Sequence, residues 1–318
     1  MQWQGRSWKQ NCIQWKQRQQ GIGHWHSNGL YPLNTSVSSV VTLDSIRRKA
    51  YKHGMSLTGK VAVVTGSSMG IGEAIAKLFA DEGASVVILS RDAARAEAAR
   101  QRIGSPDRTL ALSCDVRNRE EIDRVLGLAL HHFQRVDIWV NNAGHGLLDS
   151  VSHAAPAAYR ETFDTNFFGA LQAMQAVIPV MKQQGEGTII NISSVAGHIP
   201  LPFHAIYSAT KFALNAVGKA ARVELSQSGI HVLTVCPGYV RTDFGANALR
   251  GGEQKQVRPG SVRGIGADRV AKAVLRGYAA RKTEVVVPWT MHPVIKLYQL
   301  FPGLVEWGMS RMVKGRKD

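Results

Sequence analysis

No apolar run in this chain of 318 residues is long enough to cross a bilayer as a helix, which excludes an ordinary transmembrane protein. Cysteine is scarce: Cys12, Cys114 and Cys236 form an odd, scattered set. That excludes a disulfide framework and offers no paired metal-ligand spacing, so a reducing, cytoplasmic compartment and no metal are expected. Acidic residues are few, 23 against 39 Lys and Arg, for a formal charge of +16. Such an excess ordinarily points to nucleic acid or an anionic membrane. Its distribution argues against nucleic acid. Residues 1–54 hold eight Lys/Arg and one Asp; the other 31 basic and 22 acidic residues are mixed in sign, with no Lys/Arg block beside an aromatic platform. With 44% hydrophobic and 19% charged residues, the composition is that of a globular chain.

Residues 1–54 read differently from the rest. Trp3, Trp8, Trp15 and Trp25 stand among Gln, Gly, His and Ser with no strand or helix period, so no element is predicted there. No apolar core precedes a small-residue cleavage site, so no secretory signal is expected. The low acid content is loosely that of a transit peptide, but the many Gln and Trp residues are not. The alternative is a start upstream of the true one, because Met55 immediately precedes the ordered pattern at Ser56-Leu57-Thr58-Gly59-Lys60. Either way the expectation is an unstructured or mis-started tail outside the fold.

From Lys60 onward, short β-branched runs alternate with amphipathic stretches. Val61–Thr65, Ser85–Leu89, Thr109–Ser113, Asp137–Asn141, Gly187–Ile192, His231–Cys236 and Glu284–Val287 read as strands. Ile71–Glu82, Ala93–Ile103, Arg119–His132, Ala157–Lys182, Ala205–Ser228 and Ala267–Ala280 read as helices. Continuous apolar strands separated by helices predict an α/β fold, a Rossmann-like, doubly wound parallel sheet of seven strands covered on both faces. No second series and no linker follows, so a single domain is expected, with 55–288 as its dinucleotide-binding body and 289–318 as a C-terminal amphipathic extension. Ligands in such sheets bind at the carboxyl ends of the strands.

The first strand runs into Gly66-Ser67-Ser68-Met69-Gly70-Ile71-Gly72 and then a helix. Glycines there let the backbone turn sharply and approach a pyrophosphate held at the helix N-terminus; a tight packing turn is the other reading. The spacing Thr-Gly-x3-Gly-x-Gly resembles the classical short-chain dehydrogenases/reductases, and later motifs extend the likeness over about residues 58–287. Cys114-Asp115-Val116 is similar to the family's adenine contact, Asn141-Asn142-Ala143-Gly144 to its turn beside the cofactor, and Pro237-Gly238-Tyr239-Val240-Arg241-Thr242 to the segment flanking the nicotinamide. The resemblance implies cofactor contacts at Gly66, Ser68, Gly70, Ile71, Gly72, Asp115, Val116, Asn142, Ala143, Gly144, Pro237, Gly238, Val240 and Thr242.

The second strand ends Leu89-Ser90-Arg91. Enzymes that choose NAD typically carry an acid at this strand end, which accepts hydrogen bonds from the ribose hydroxyls and repels a 2′-phosphate. Ser90 fills that place, and the guanidinium of Arg91 suits a phosphate, so the expected cofactor is NADP(H). Asp92 could pair with Arg91 or cap the next helix.

Tyr207-Ser208-Ala209-Thr210-Lys211 puts Tyr and Lys on one helical face, and Ser194 lies thirteen residues before Tyr207. The resemblance maps Asn166, Ser194, Tyr207 and Lys211 onto the family's catalytic tetrad, with Tyr207 and Lys211 also touching the cofactor; Ser193 competes, and the spacing selects Ser194. Hydride transfer to a carbonyl develops negative charge on oxygen, which needs a proton donor and a stabilising hydrogen bond. Tyr207 would give the proton, Ser194 would polarise the carbonyl, Lys211 would hold the ribose, and Asn166 would hold a relay water. Bringing a phenol from a pKa of about 10 to near 7 takes roughly 4 kcal/mol, expected from Lys211 and the cofactor's positive ring. Thr210 replaces the Ser of many relatives, a departure expected not to touch the tetrad.

Specificity is expected in Phe244–Gly266, a Gly-rich segment carrying Arg250, Lys255, Arg258 and Arg263, either a lid over substrate or a solvated loop. Toward the C-terminus, Leu304, Val305, Gly308, Met309 and Met312 share one helical face opposite Glu306, Ser310 and Lys314. That face could meet a membrane interface, cover a lipophilic pocket, or pack on the sheet or a sister subunit. Cys114 and Cys236 read as small buried residues, and His198 and His204 as pocket or structural residues. The expected activity is an NADP(H)-dependent oxidoreductase interconverting a carbonyl and a secondary alcohol, with a lipophilic substrate. A homodimer or homotetramer through the two long central helices and peripheral membrane contact are expected partners. The alternative is a noncatalytic NADP(H)-binding sensor on the same fold.

Overall fold

The computed structural model describes residues 56–251 and 264–314. The expectations for residues 1–54, for Lys255, Arg258 and Arg263, and for the side chains of Met312 and Lys314 lie outside the described residues.

Seven parallel strands form the main sheet: β1 (Val61–Val64), β2 (Ser85–Ser90), β3 (Thr109–Ser113), β4 (Ile138–Asn141), β6 (Gly187–Ile192), β7 (Ile230–Pro237) and β9 (Glu284–Val287). Two short strands, β5 (Leu147–Leu148) and β8 (Leu249–Arg250), make a separate parallel ladder. The main order is β3-β2-β1-β4-β6-β7-β9. The chain therefore leaves β1 toward one edge and returns at β4 toward the other. That reversal opens a crevice above the carboxyl ends of β1 and β4.

The strand period of two decides how the sheet is covered. Ala62, Val64, Val86, Ile88, Ile138, Val140, Ile190, Leu233 and Val235 face one core; there they meet α1 (Gly70–Asp81), α2 (Ala93–Ile103) and α7 (Ala267–Ala279). Their neighbours Val63, Val87, Leu89, Trp139, Ile189 and Val232 face the other, against α3 (Arg119–Phe133), α5 (Gly169–Gln184) and α6 (Ala205–Glu224). Both faces of each central strand are thus apolar, as a parallel sheet requires. At the amino ends, buried Asp137 accepts hydrogen bonds from Arg135, Lys60 and the amide of Val61. Burial pushes its carboxyl up, and these bonds outweigh that and hold it below the ordinary range.

The single helix expected over Ala157–Lys182 is broken. α4 (Pro156–Phe163) passes through a π-turn at Asp164–Phe168 into α5. The physical reason lies on both sides of the turn. Asn166 is turned inward to bond the main chain of His145, and Gly169 packs so closely on Val116 that a side-chain carbon there would stand 2.8 Å from Val116 Cγ2. One extra residue in the turn serves both contacts.

Beyond β9 come α8 (Met291–Leu300) and α9 (Pro302–Lys314). Ile295, with Met291, Tyr298 and Met309, packs on Val195, Ile199, Cys236 and Val286. On the expected apolar face of α9, Leu304 is exposed, as is its neighbour Trp307, while Val305, Gly308 and Met309 turn inward. No helix among the described residues is long and apolar enough to cross a membrane.

Candidate active site

The glycine-rich turn is held from beneath by hydroxyls. Thr65 Oγ1 accepts the amides of Asn142 and Ala143 at 2.9 and 3.0 Å, and buried Ser67 donates to Val64 O at 2.7 Å. The Asn142 amide donates to the carbonyls of Thr65 and Gly66, tying the β1 turn to the β4 turn. Two glycines are required by space. Gly66 has φ +60° and lies so near Ala143 that a Cβ would meet its Cα at 2.8 Å, and a Cβ on Gly72 would run into the Asn142 amide and Gly66 O. α1 follows the N-cap Met69, which makes no side-chain cap hydrogen bond, so the helix N-terminus is left without a side-chain cap. This uncapped N-terminus and its glycine cradle fit a dinucleotide pyrophosphate. Ser68, Gly70 and Ile71 line the same turn, and Thr242 approaches Gly70 from across it.

Ser90 and Arg91 end β2 as expected, Ser90 buried and Arg91 exposed. Asp92 caps α2: its carboxylate accepts the amides of Ala94 and Arg95 at 2.8 and 3.1 Å. Its role is the cap, with no hydrogen bond to Arg91 among those described. Arg102 donates to the carbonyl of Ser68 at 3.0 Å, a second guanidinium beside the turn that the sequence did not single out. The carboxylate of Asp115 is gripped by Arg117, whose hydrogen bonds hold it below its ordinary range. Val116 is buried against Gly169. Pro237 and Gly238 lie at the end of β7, where the Gly238 amide donates to Val287 O, and Val240 bridges to Ile265.

The tetrad residues converge at the carboxyl ends of β4 and β6. Ser194 follows β6 and caps a short 3-10 turn, accepting the Ala196 amide at 3.0 Å; its hydroxyl donates to Pro237 O at 3.4 Å. Tyr207 and Lys211 rise from the first turns of α6. Lys211 is buried, donates to Ile192 O at 3.0 Å, and its ammonium stands 5.8 Å from the Tyr207 ring centre. Burial pushes the Tyr207 phenol up to about 12, against a lowering hydrogen bond with Ser194, and pushes the Lys211 ammonium down to about 8.

Asn166 is buried, and its amide is fully committed. It exchanges two 2.9 Å bonds with the main chain of His145 and donates to Thr210 Oγ1 at 3.3 Å. Thr210 Oγ1 in turn donates to Tyr207 O at 2.7 Å. Thr210 is therefore joined to the tetrad, contrary to expectation, because its hydroxyl lies between Asn166 and the helix that carries Tyr207. Two neighbours come from regions that the sequence singles out, His204 and the start of Phe244–Gly266. Phe244 stands edge-on to Tyr207, His204 flanks it at 6.4 Å, and β8 pairs with β5 to draw residues 244–250 over the site. The first part of the Phe244–Gly266 segment is thus tied down at Phe244 and at β8, with Phe244, Ala246 and Asn247 still exposed.

Residues 60–251 match the family model described as short chain dehydrogenase. An uncharacterized oxidoreductase of Staphylococcus epidermidis is 35% identical over 228 residues, 72% of this chain and 96% of that protein. Dehydrogenase/reductase SDR family member 7B of Danio rerio is 30% identical over 288 residues, 87% of this chain and 92% of that one. Among solved structures, a short-chain dehydrogenase of Streptomyces avermitilis is 30% identical with a TM-score of 0.71, over 82% of this chain and 99% of that one. A 3-ketoacyl-(acyl-carrier-protein) reductase of Brucella melitensis, complexed with NADH, is 32% identical with a TM-score of 0.66, over 73% of this chain and 98% of that one. The fold, the glycine cradle and the extent of these matches agree: the chain belongs to the short chain dehydrogenase family.

Proposed function

We propose that this chain is an NADP(H)-dependent oxidoreductase that interconverts a carbonyl and a secondary alcohol, acting through Tyr207. The observation that carries the reading is the convergence of Ser194, Tyr207 and Lys211 beside the cradle of Gly66 and Gly72. Gly66, Ser68, Gly70, Ile71 and Gly72 would hold the pyrophosphate, Arg91 the 2′-phosphate, and Asn142, Ala143, Gly144, Pro237, Gly238, Val240 and Thr242 the nicotinamide side. A bound nicotinamide supplies the hydride for reduction or accepts it for oxidation.

The chain's own groups move the proton. At neutral pH a phenol pushed up to about 12 is protonated, which suits Tyr207 to donate its proton to a carbonyl oxygen as negative charge develops there. The Ser194 hydroxyl, which donates to Pro237 O at 3.4 Å, would turn its hydrogen to the same carbonyl oxygen. Lys211 is fixed by Ile192 O with its remaining N–H bonds available to ribose hydroxyls. Because the Asn166 amide is spent on His145 and Thr210, its part is to brace Tyr207 and the β4 turn, and a relay water would be held by its main-chain carbonyl. Oxidation of an alcohol needs the phenolate, so it would gain with rising pH while reduction would not.

The reading of a lipophilic substrate, with peripheral membrane contact, draws support from the aromatic cover at Phe244 and from α8 and α9. Trp289, Leu300, Phe301, Leu304 and Trp307 are each more than half exposed, and residues 289–318 carry five Lys/Arg against two acids. Homo-oligomer formation through the central helices is consistent with the outward Phe168, Phe212 and Val223.

Nucleotide titration and turnover on aliphatic, aromatic and steroid-like ketones test the proposal. Tyr207→Phe is expected to bind NADPH as the parent does and to lose about 10²–10⁴-fold in turnover. Equal turnover in both would overturn the role of Tyr207. Tight NADPH binding with no turnover across the panel would favour the sensor.

A further inference from the structure

We propose that His198, Cys236 and Glu284 form a site for zinc(II) beneath the serine loop. His198 Nε2 lies 3.4 Å from Cys236 Sγ and 3.5 Å from Glu284 Oε1, and the three donor atoms fall within 4.8 Å of one another. With zinc bonds of about 2.0–2.3 Å, tetrahedral ligands stand roughly 3.3–3.6 Å apart, so both separations from the imidazole match a shared metal, and the partly exposed Glu284 side chain would turn toward Cys236 to bring their separation, within 4.8 Å, to the same spacing. A thiolate, an imidazole and a carboxylate are a donor set that zinc takes in preference to calcium or magnesium.

The sheet builds this cluster. Thr234 pairs with Glu284 and Cys236 with Val286, so Glu284 and Cys236 project from the same face of adjacent strands two residues apart. His198 arrives from the other side, at the end of the 3-10 turn that Ser194 begins. Asn215 steadies the approach by donating to Gly197 O at 2.9 Å, with its Oδ1 4.0 Å from Cys236 Sγ. Cys236 and His198 are 0% and 8% exposed, while the Glu284 side chain keeps 29%, which leaves a way in from solvent.

Binding would form Zn–S, Zn–N and Zn–O bonds and release the thiol proton to solvent, with water in the fourth position. Thiolate and carboxylate charges would balance the dication. The metal would join β7, β9 and the serine loop, and Pro237, next to Cys236, carries the carbonyl that accepts from Ser194. Its role would be to support the position of Ser194, without contact to substrate.

Full-length protein, reduced and freed of metal, would be titrated with zinc chloride and, separately, cobalt chloride. The expected result is one equivalent bound, a cobalt–thiolate charge-transfer band and a higher Tm with zinc. Cys236→Ser should abolish the band, and Glu284→Gln should keep it while weakening affinity about tenfold or more. Circular dichroism and a cooperative melt would establish folding of each variant. A folded parent with neither band nor Tm shift would overturn the proposal and leave a hydrogen-bonded cluster. A band that survives in Cys236→Ser would also overturn it, placing the metal elsewhere.

Discussion

The ring of Phe244 meets the ring of Tyr207 edge-on, with centres 5.7 Å apart and planes at 61°. The contact joins the segment after β7 to the helix that bears Tyr207, the proposed proton donor. Burial is the largest influence pushing the Tyr207 phenol up to about 12, and Phe244 is one of the side chains packed against it.

Phe244→Ala should therefore change two quantities together. Loss of an aromatic pair worth about 0.5–1.5 kcal/mol should raise KM for a ketone about two- to tenfold, leaving NADPH affinity within about twofold. Exposure of the phenol should also move the alkaline limb of reduction to lower pH. Steady-state kinetics across pH checks both, and an unchanged KM would show that Phe244 does not cover the substrate.

Arg91 stands at the end of β2 beside a serine rather than an acid. Arg91→Ala should weaken NADPH about 10- to 100-fold, the loss of one charged hydrogen bond worth roughly 1.5–3 kcal/mol, and leave NADH unchanged. Fluorescence titration with each nucleotide reads the difference. Equal weakening of both would locate the 2′-phosphate elsewhere, with Arg102 the neighbouring candidate.

Lys211 gives a stability signature in the nucleotide-free protein. Its ammonium sits near 8 in the fold against 10.5 when unfolded. Between these values the unfolded chain binds the proton that the folded chain has released, so this group makes stability rise with pH. Below about 8 both states are protonated and the cost of burying the charge is constant and complete. Tyr207 acts oppositely: its stabilising contribution is complete below 10 and is lost as pH rises through about 12. Melts from pH 7 to 10 should show the rise in the parent and a flattened curve in Lys211→Met. Parallel curves would refute a depressed ammonium at this position.

Most of the sheet is legible in the residues because its strands carry short runs rich in Val, Ile and Leu, such as SVVILS over Ser85–Ser90 and GTIINI over Gly187–Ile192. The grouping of Ser194, Tyr207 and Lys211 is legible because Tyr207 and Lys211 share a helix face and Ser194 lies a short loop away. The π-turn at Asp164–Phe168 is not, since one inserted residue barely disturbs a helical apolar pattern. Nor is the hydroxyl of Thr210 between Asn166 and Tyr207, a contact made across 44 residues of sequence. His198, Cys236 and Glu284 are equally hidden: three separate segments contribute one donor each, so no ligand spacing survives in the linear text. For α9, Leu304 and Trp307 face outward because only one side of that helix finds the sheet.

The ladder between Leu147–Leu148 and Leu249–Arg250 anchors the segment after Thr242 to the turn after β4 through backbone bonds, among them Leu249 N to Gly146 O at 2.9 Å and Gly251 N to Leu148 O at 3.1 Å. Main-chain pairing places little demand on side-chain identity. Under the proposed function, selection could therefore exchange side chains in the segment 244–250, one at a time or together, while the residues beneath stay as they are. Inheritance of a new specificity would be separable from inheritance of the catalyst.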